Sequence, residues 1–178
     1  PTYNESKNII NIIDMLFKLD IDLDILVVDD NSPDNTAQIV KKYNSDKVFI
    51  EERAEKDGLG TAYVHGFNWA LKNEYDKIIQ MDADLSHDPK EVPDMFDLLD
   101  NYDLVIGSRY NNGLRVINWP ISRLYISYFA NLYARIITGV PLKDLTAGFK
   151  GWKSEALHLI NFNECSSQGY CFQIETSF

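Results

Sequence analysis

Asp24-Ile25-Leu26-Val27-Val28-Asp29-Asp30 decides the fold. Four consecutive apolar residues closed by two acids leave no face for solvent, which is how a parallel strand buried on both sides reads. Lys77-Ile78-Ile79-Gln80-Met81-Asp82 and Leu104-Val105-Ile106-Gly107 repeat the pattern, and Val48-Phe49-Ile50 is a shorter version. Helical signals lie between these runs. Asn4 is placed to cap a helix from Glu5, with Ile9, Ile10, Ile12, Ile13, Leu16 and Phe17 as its apolar stripe. Asn31-Ser32-Pro33-Asp34 reads as the start of a second helix with proline at an early position. A third helix is expected over Thr61 to Leu71, after the loop Gly58-Leu59-Gly60. A fourth, opened by the capping box Asp88-Pro89-Lys90-Glu91, is expected to reach Leu99. Strand and helix alternate through residues 5–108, so an open α/β sheet is expected. After residue 109 the pattern changes to a loop, an aromatic helix from about Ser122 to Thr138, a strand-like Asp144-Leu145-Thr146-Ala147-Gly148-Phe149, and a helical Cys171-Phe172-Gln173-Ile174-Glu175. No repeat or linker interrupts it, so residues 1–178 read as one domain with a specialised late part.

Composition narrows the classes. The 178 residues are 45% hydrophobic, 25% charged and 12% aromatic, which excludes a disordered chain. Cys165 and Cys171 are too few for a disulfide framework and lack metal-site companions. The net charge of −10 is unevenly divided: residues 1–100 carry −12 and residues 101–153 carry +5. An acidic whole argues against general nucleic-acid binding, whereas the basic segment suggests a local anionic partner. The longest uncharged aromatic run, Leu124 to Ala134, is 11 residues, and a membrane-spanning helix needs ~20. The start at Pro1 and a helical pattern running into Phe178 suggest a piece of a longer chain.

In open α/β sheets ligands bind at the carboxyl ends of the strands, and here those ends carry acids. Asp82 and Asp84, two apart on an extended segment, point to one side. Two such carboxylates repel unless a cation lies between them, and oxygen ligands suit Mg²⁺ or Mn²⁺ bridged to substrate phosphates. The alternative is an acidic loop leading to the cap at Asp88. Asp29-Asp30 can receive donors from a ribose or base, or can cap the segment after Ser32-Pro33. No G-x-G-x-x-G or P-loop follows a strand, which disfavours a dehydrogenase or P-loop enzyme. Arg123 and Ser127, four apart on the expected aromatic helix, share one face and can grip a phosphate monoester. Trp119, Tyr125, Tyr128, Phe129 and Tyr133 around them suit a membrane–water interface, and a core-packing helix with a solvated arginine explains the same spacing. His65, His87 and His158 are scattered; His87, beside the D-x-D, is placed to reach a ligand but reads rather as a surface residue.

Eight segments together resemble a known family. In order they are Pro1-Thr2-Tyr3-Asn4-Glu5, Val27-Val28-Asp29-Asp30-Asn31-Ser32-Pro33-Asp34-Asn35-Thr36, Gly58-Leu59-Gly60-Thr61-Ala62-Tyr63, Met81-Asp82-Ala83-Asp84-Leu85-Ser86 and Gly107-Ser108-Arg109-Tyr110. Asn118-Trp119-Pro120-Ile121-Ser122-Arg123, Asp144 to Lys150 and Gly169-Tyr170-Cys171-Phe172-Gln173-Ile174-Glu175 follow. The chain is similar throughout to the dolichyl- or polyprenyl-phosphate mannosyltransferases, family 2 glycosyltransferases. The resemblance implies the GT-A fold: a Rossmann-like open, mostly parallel sheet with helices on both faces. It also implies a first strand before Pro1 and a basic segment after Phe178. The implied activity is inverting transfer of mannose from GDP-mannose to a polyprenyl or dolichyl phosphate, with Mg²⁺ or Mn²⁺, on the cytoplasmic side of a membrane, by a protein that is peripheral or anchored by segments outside this stretch. Residues 1–108 become the nucleotide-sugar part and residues 109–178 the acceptor part. By the same resemblance Pro1, Tyr3, Glu5, Val28 and Asp30 hold the guanosine. Asp82, Ala83, Asp84 and Arg109 serve the diphosphate and its metal, and Arg123 and Ser127 hold the acceptor phosphate. Ser86 stands where relatives often carry Gln, making it a weak third metal ligand, and Tyr128 replaces a basic residue of the acceptor helix. A related enzyme using UDP-glucose or UDP-N-acetylglucosamine, or a non-catalytic nucleotide-sugar or lipid-phosphate binding module, is the alternative.

Overall fold

The computed structural model describes residues 1–108, 129, 131–133, 135–139, 144–160, 162 and 170–177. Strand β1 (Ile25–Asp29) pairs in parallel with β2 (Val48–Glu52), Ile25 opposite Val48 and Asp29 opposite Glu52. Strands β3 (Lys77–Gln80), β4 (Leu104–Ile106) and β5 (Lys150–Lys153) form a second group in the order β3-β5-β4. β5 is antiparallel to both neighbours, so Ile78 and Leu104 both face Trp152 in register, and Ile79 and Val105 both face Gly151. β3 and β4 therefore run the same way with a reversed strand inserted between them.

A cavity of about 710 Å³ separates the two groups. Ile25, Leu26 and Val28 line one side of it and Ile78, Ile79 and Gln80 the other. At its end Thr2 makes a parallel bridge to Asp29, with Thr2 N–H donating to Val28 O at 2.8 Å and Asp30 N–H to Thr2 O at 3.0 Å.

Helices cover both faces because strand side chains alternate. On one face, Ile12 and Leu16 of α1 (Ile9–Leu16) and Val92 and Met95 of α4 (Val92–Leu98) pack with Phe149 over Ile25, Ile79 and Val105. On the other, Tyr63 and Phe67 of α3 (Leu59–Lys72) pack with Trp152, Leu157 and Phe172 over Ile78 and Leu104. A third cluster joins Ile9 and Ile13 to Val27 and to Val40 of α2 (Thr36–Lys41). Each such side chain, fully buried, contributes roughly 1.5–3 kcal/mol. Helices Ser154–Leu159 and Tyr170–Glu175 complete the described core. Among the described residues no helix is long and apolar enough to cross a membrane.

The third helix starts two residues early, at Leu59, and three further differences from the sequence expectation have a visible cause. α1 begins at Ile9 rather than Glu5, because Asn4 has φ 65° and the next amides are bound elsewhere. Glu5 N–H donates to Thr36 Oγ1 and Ser6 N–H to Asp34 Oδ2, both at 3.0 Å. α2 begins at Thr36, not at Pro33, since Asn35 has φ 65° and Asp34 turns inward to accept from Ser6 and Thr36. Residues 144–149 form turns, and the strand lies one step later at Lys150–Lys153, where backbone partners exist on both sides. The aromatic helix is described only in part: residues 129, 131–133 and 135–138 are helical.

Candidate functional site

The loops leaving β1 and β3 converge. The nitrogen of Pro1 lies within the electrostatic reach of Asp82, Asp30 and Asp29 together, so the acids at the two strand ends belong to one site.

At the end of β1 the two aspartates have different tasks. Asp29 is 1% exposed and spends both oxygens on the chain. Oδ1 accepts from Thr2 Oγ1 at 2.8 Å and Ser32 Oγ at 2.6 Å, and Oδ2 accepts from Ser32 N–H at 2.9 Å. Asp30 is also buried, but it faces Arg53, whose Nη1 lies 3.1 Å from its Oδ1. The contact is close yet poorly aligned, so Oδ1 has an ionic partner without a formed hydrogen bond. Burial raises the Asp30 pKa and the Arg53 charge opposes that rise. Arg53 is fixed in turn by donating from Nη2 to Thr61 Oγ1 at 2.8 Å. Tyr3 is exposed beside this pair, with Lys56 Nζ 3.8 Å from its ring centroid. Glu5 accepts from Asn8 Nδ2 at 2.8 Å. Val28 turns its side chain toward α3, where a Cβ on Gly66 would lie 3.5 Å away.

The loop after β3 carries the paired carboxylates. Asp82 Oδ1 accepts from the Tyr63 hydroxyl at 2.7 Å, and Asp82 N–H donates to His87 Nδ1 at 3.0 Å. Burial, and then the negative charge of Asp82, push the Tyr63 pKa well above its ordinary value, so the phenol remains a donor. Asp84 Oδ1 accepts from Ser86 N–H at 2.9 Å across a turn in which Leu85 has φ 64°. A bulky residue in that region is strained by roughly 1–3 kcal/mol, the kind of strain found at functional loops. Ala83 packs inward against the cores under β1 and β3. Gly148 closes the rim, because a Cβ there would sit 3.3 Å from Asp82 Oδ2. A buried network holds that rim: Gln80 Nε2 donates to Gly148 O at 2.9 Å, and Gln80 Oε1 accepts from Trp152 Nε1 at 3.0 Å.

The loop geometry leaves Asp82 Oδ2 and Asp84 Oδ2 without a hydrogen bond from the described residues. No group of three or more His, Cys, Asp or Glu is gathered to hold a metal ion alone, again among the described residues. Two hard oxygen donors fit a Mg²⁺ or Mn²⁺ ion that completes its shell with water and substrate phosphate. Ser86 is exposed and its N–H is committed to Asp84. Arg109, Arg123 and Ser127 lie outside the described residues.

Tyr63 and Arg53 are the site residues that the sequence reading passed over. Tyr63 falls on an apolar helical stripe, which hides its hydroxyl. His87 reads from its place beside the D-x-D as within reach of a ligand, but rather as a surface residue; it is half-buried and bonded to Asp82 instead.

Comparison with known proteins follows the same lines. The family model for glycosyl transferase family 2 matches residues 1–160. The polyprenol monophosphomannose synthase of Mycolicibacterium smegmatis is 42% identical over 182 residues, covering 100% of this chain and 69% of the relative. The undecaprenyl-phosphate mannosyltransferase of Micrococcus luteus is 40% identical, covering 100% of this chain and 74% of the relative. Among solved structures, glucosyl-3-phosphoglycerate synthase of Mycobacterium tuberculosis superposes with a TM-score of 0.70 at 19% identity, over 99% of this chain and 63% of that one. The same enzyme with Mn²⁺, UDP-glucose and phosphoglyceric acid gives 0.69, and this chain spans 61% of its length. At that identity the likeness concerns the fold alone.

Proposed function

We propose, from the premise that the chain belongs to glycosyl transferase family 2, that it is the catalytic part of a mannosyltransferase taking mannose from GDP-mannose to a polyprenyl or dolichyl phosphate. The observation that carries this reading is full-length similarity at 40–42% identity to two proteins whose names specify polyprenol phosphate mannose synthesis and undecaprenyl-phosphate mannosyl transfer. A lipid acceptor sets the reaction at a membrane, and we take the protein to work at the cytoplasmic face, peripheral or anchored by other segments, the positive charge of residues 101–153 suiting an anionic headgroup.

The residues suit the chemistry. A phosphate acceptor is already an anion, so attack on the anomeric carbon requires no general base. One acceptor oxygen forms the new bond to the anomeric carbon as the bond to the diphosphate breaks on the opposite side, giving inversion. The departing diphosphate gathers charge that must be neutralised. Asp82 and Asp84 would hold Mg²⁺ or Mn²⁺, which would supply Lewis-acid stabilisation of that charge. Asp82 is oriented by Tyr63, and Asp84 by the turn at Leu85. Asp30, with Tyr3, Glu5, Val28 and Pro1, makes the nucleoside end of the same cleft. Arg109 would meet the diphosphate, and Arg123 with Ser127 the acceptor phosphate.

The test is a donor panel on the intact protein with polyprenyl phosphate and Mn²⁺. Labelled lipid should form from GDP-mannose alone. Label from UDP-glucose instead would move the donor assignment, and label from no donor would favour a binding module.

A further inference from the structure

The D-x-D loop of this chain contains a histidine that no role so far requires. His87 lies three residues after Asp84, and the left-handed turn at Leu85 brings it back onto the loop's first residue. Asp82 N–H donates to its Nδ1 at 3.0 Å. A backbone amide can only donate, so Nδ1 must carry a lone pair, and the neutral ring then holds its proton on Nε2. Nε2 lies 3.9 Å from Asp82 Oδ2. The ring thus takes the amide of Asp82 with Nδ1 and lies beside the same residue's carboxylate, with Nε2 beyond hydrogen-bond distance of Oδ2.

The ring itself has little freedom. It stacks on Phe149 with centroids 5.0 Å apart and planes 13° apart. Phe149 is 2% exposed, and it reaches the loop because Gly107 has no side chain: a Cβ there would come within 2.6 Å of its Cδ1. Gly148 lies against the ring edge, where a Cβ would make an ordinary contact 3.6 Å from His87 Cε1. Sheet and loop therefore fix the ring plane before any ligand arrives. Tyr63 holds Asp82 Oδ1 from α3, so the direction left for Asp82 Oδ2 is set between Tyr63 and His87.

We infer that His87 is a positioning residue for the metal-binding loop: its ring, held on Phe149, presents Nδ1 to the Asp82 amide and so fixes the backbone from which the Asp82 carboxylate projects. The inference rests on the reading of Asp82 and Asp84 as the metal-binding pair. It requires an acceptor atom at the δ position of residue 87, whatever the ring around it.

Three variants of the full-length protein separate this from a merely structural role. His87→Asn places an amide oxygen where Nδ1 stands, His87→Gln reaches only the ε position, and His87→Ala removes both. Mn²⁺ affinity is read by titration in the presence of GDP, and hydrogen–deuterium exchange is followed in the peptide containing Asp82. Residues that orient metal ligands typically cost 10–100-fold in metal affinity when lost. His87→Ala and His87→Gln should therefore weaken Mn²⁺ binding by about 10–100-fold and speed exchange at Asp82. His87→Asn should stay within about 3-fold of the unsubstituted protein and keep that amide protected. The inference is overturned if His87→Ala binds Mn²⁺ as well as the parent, or if His87→Asn is as impaired as His87→Ala. Equal losses of thermal stability with unchanged Mn²⁺ affinity would likewise reduce His87 to a structural staple. If the parent itself binds no Mn²⁺ with GDP, the metal reading fails. The exchange data then decide alone: the amide pinned in His87→Asn but not in His87→Ala upholds the geometry, and no difference rejects it.

Discussion

Lys150 offers a test of the fold by its pH dependence. It is 0% exposed on β5, and its Nζ donates to Gln173 O at 2.6 Å, Ser177 Oγ at 2.7 Å and Thr176 Oγ1 at 3.1 Å. It thus ties the end of the helix Tyr170–Glu175 to the sheet. Burial pushes its pKa down to about 7, with the charge of Asp144 acting in the opposite direction. In the unfolded chain a lysine titrates near ~10.4. Between these values the unfolded state binds more protons than the folded one, so stability rises with pH across that window. The whole shift sets a ceiling of roughly 4–5 kcal/mol, at ~1.4 kcal/mol per pH unit. Three acceptors around Nζ favour the ammonium and reduce this, so the expected gain from pH 7 to pH 9 is about 1–2 kcal/mol. Lys150→Met keeps the length of the side chain and abolishes the titration. Urea denaturation followed by tryptophan fluorescence at pH 7, 8 and 9 should show the parent pulling away from Lys150→Met as pH rises. A stability difference that is constant or shrinks with rising pH refutes the reasoning. Above pH ~10 the parent should lose stability again. Burial and the Asp24 hydrogen bond push Tyr75 up to about 12, and a tyrosine raised in the fold favours the unfolded state once it ionises.

Other expectations concern the site and its supports. Tyr63→Phe removes only the hydroxyl on Asp82 and keeps the ring stacked against Phe172. Turnover should fall about 10-fold, since a hydrogen bond to a charged group is worth ~1.5–3 kcal/mol and water can replace part of it; steady-state kinetics showing no loss would count against the hold on Asp82. Gly148→Ala brings a methyl to 3.3 Å from Asp82 Oδ2, tight enough to push the carboxylate aside. Mn²⁺ titration should then show weakened binding, with melting lowered by only a few degrees, and unchanged Mn²⁺ affinity would contradict the placement of Asp82. At Asp34 burial would raise the pKa, but hydrogen bonds from Thr36 and Ser6 outweigh it and hold the carboxyl at about 2. Its contribution is therefore complete above pH ~4 and lost as pH falls toward 2. Asp34→Ala should cost about 1 kcal/mol at pH 7, a figure discounted for solvent screening, and the gap from the parent should close in acid melts.

Local pattern alone determined a good deal. The apolar runs at Ile25–Asp29 and Lys77–Gln80, the helical stripes between them and the acids at the strand ends are all short-range signals. Burial on one or both faces imposes a period that a reader can count, and a strand's carboxyl end needs no partner to be recognised. The eight segments in order carried the family for the same reason: each is read within a few consecutive residues. Partners were not legible in that way. Nothing in Lys150–Lys153 announces an antiparallel strand between β3 and β4, because periodicity encodes burial but not direction or neighbour. The helix starts at Asn4 and Pro33 were misplaced because their amides and side chains are claimed across the β1–α2 loop, a competition visible only in space. The two aspartates of the D-x-D were therefore the sequence's to give. What holds Asp82 was decided by tertiary structure, through a tyrosine from α3 and a histidine brought back by the turn at Leu85, since a polar group's partner depends on where the chain returns and not on what stands beside it.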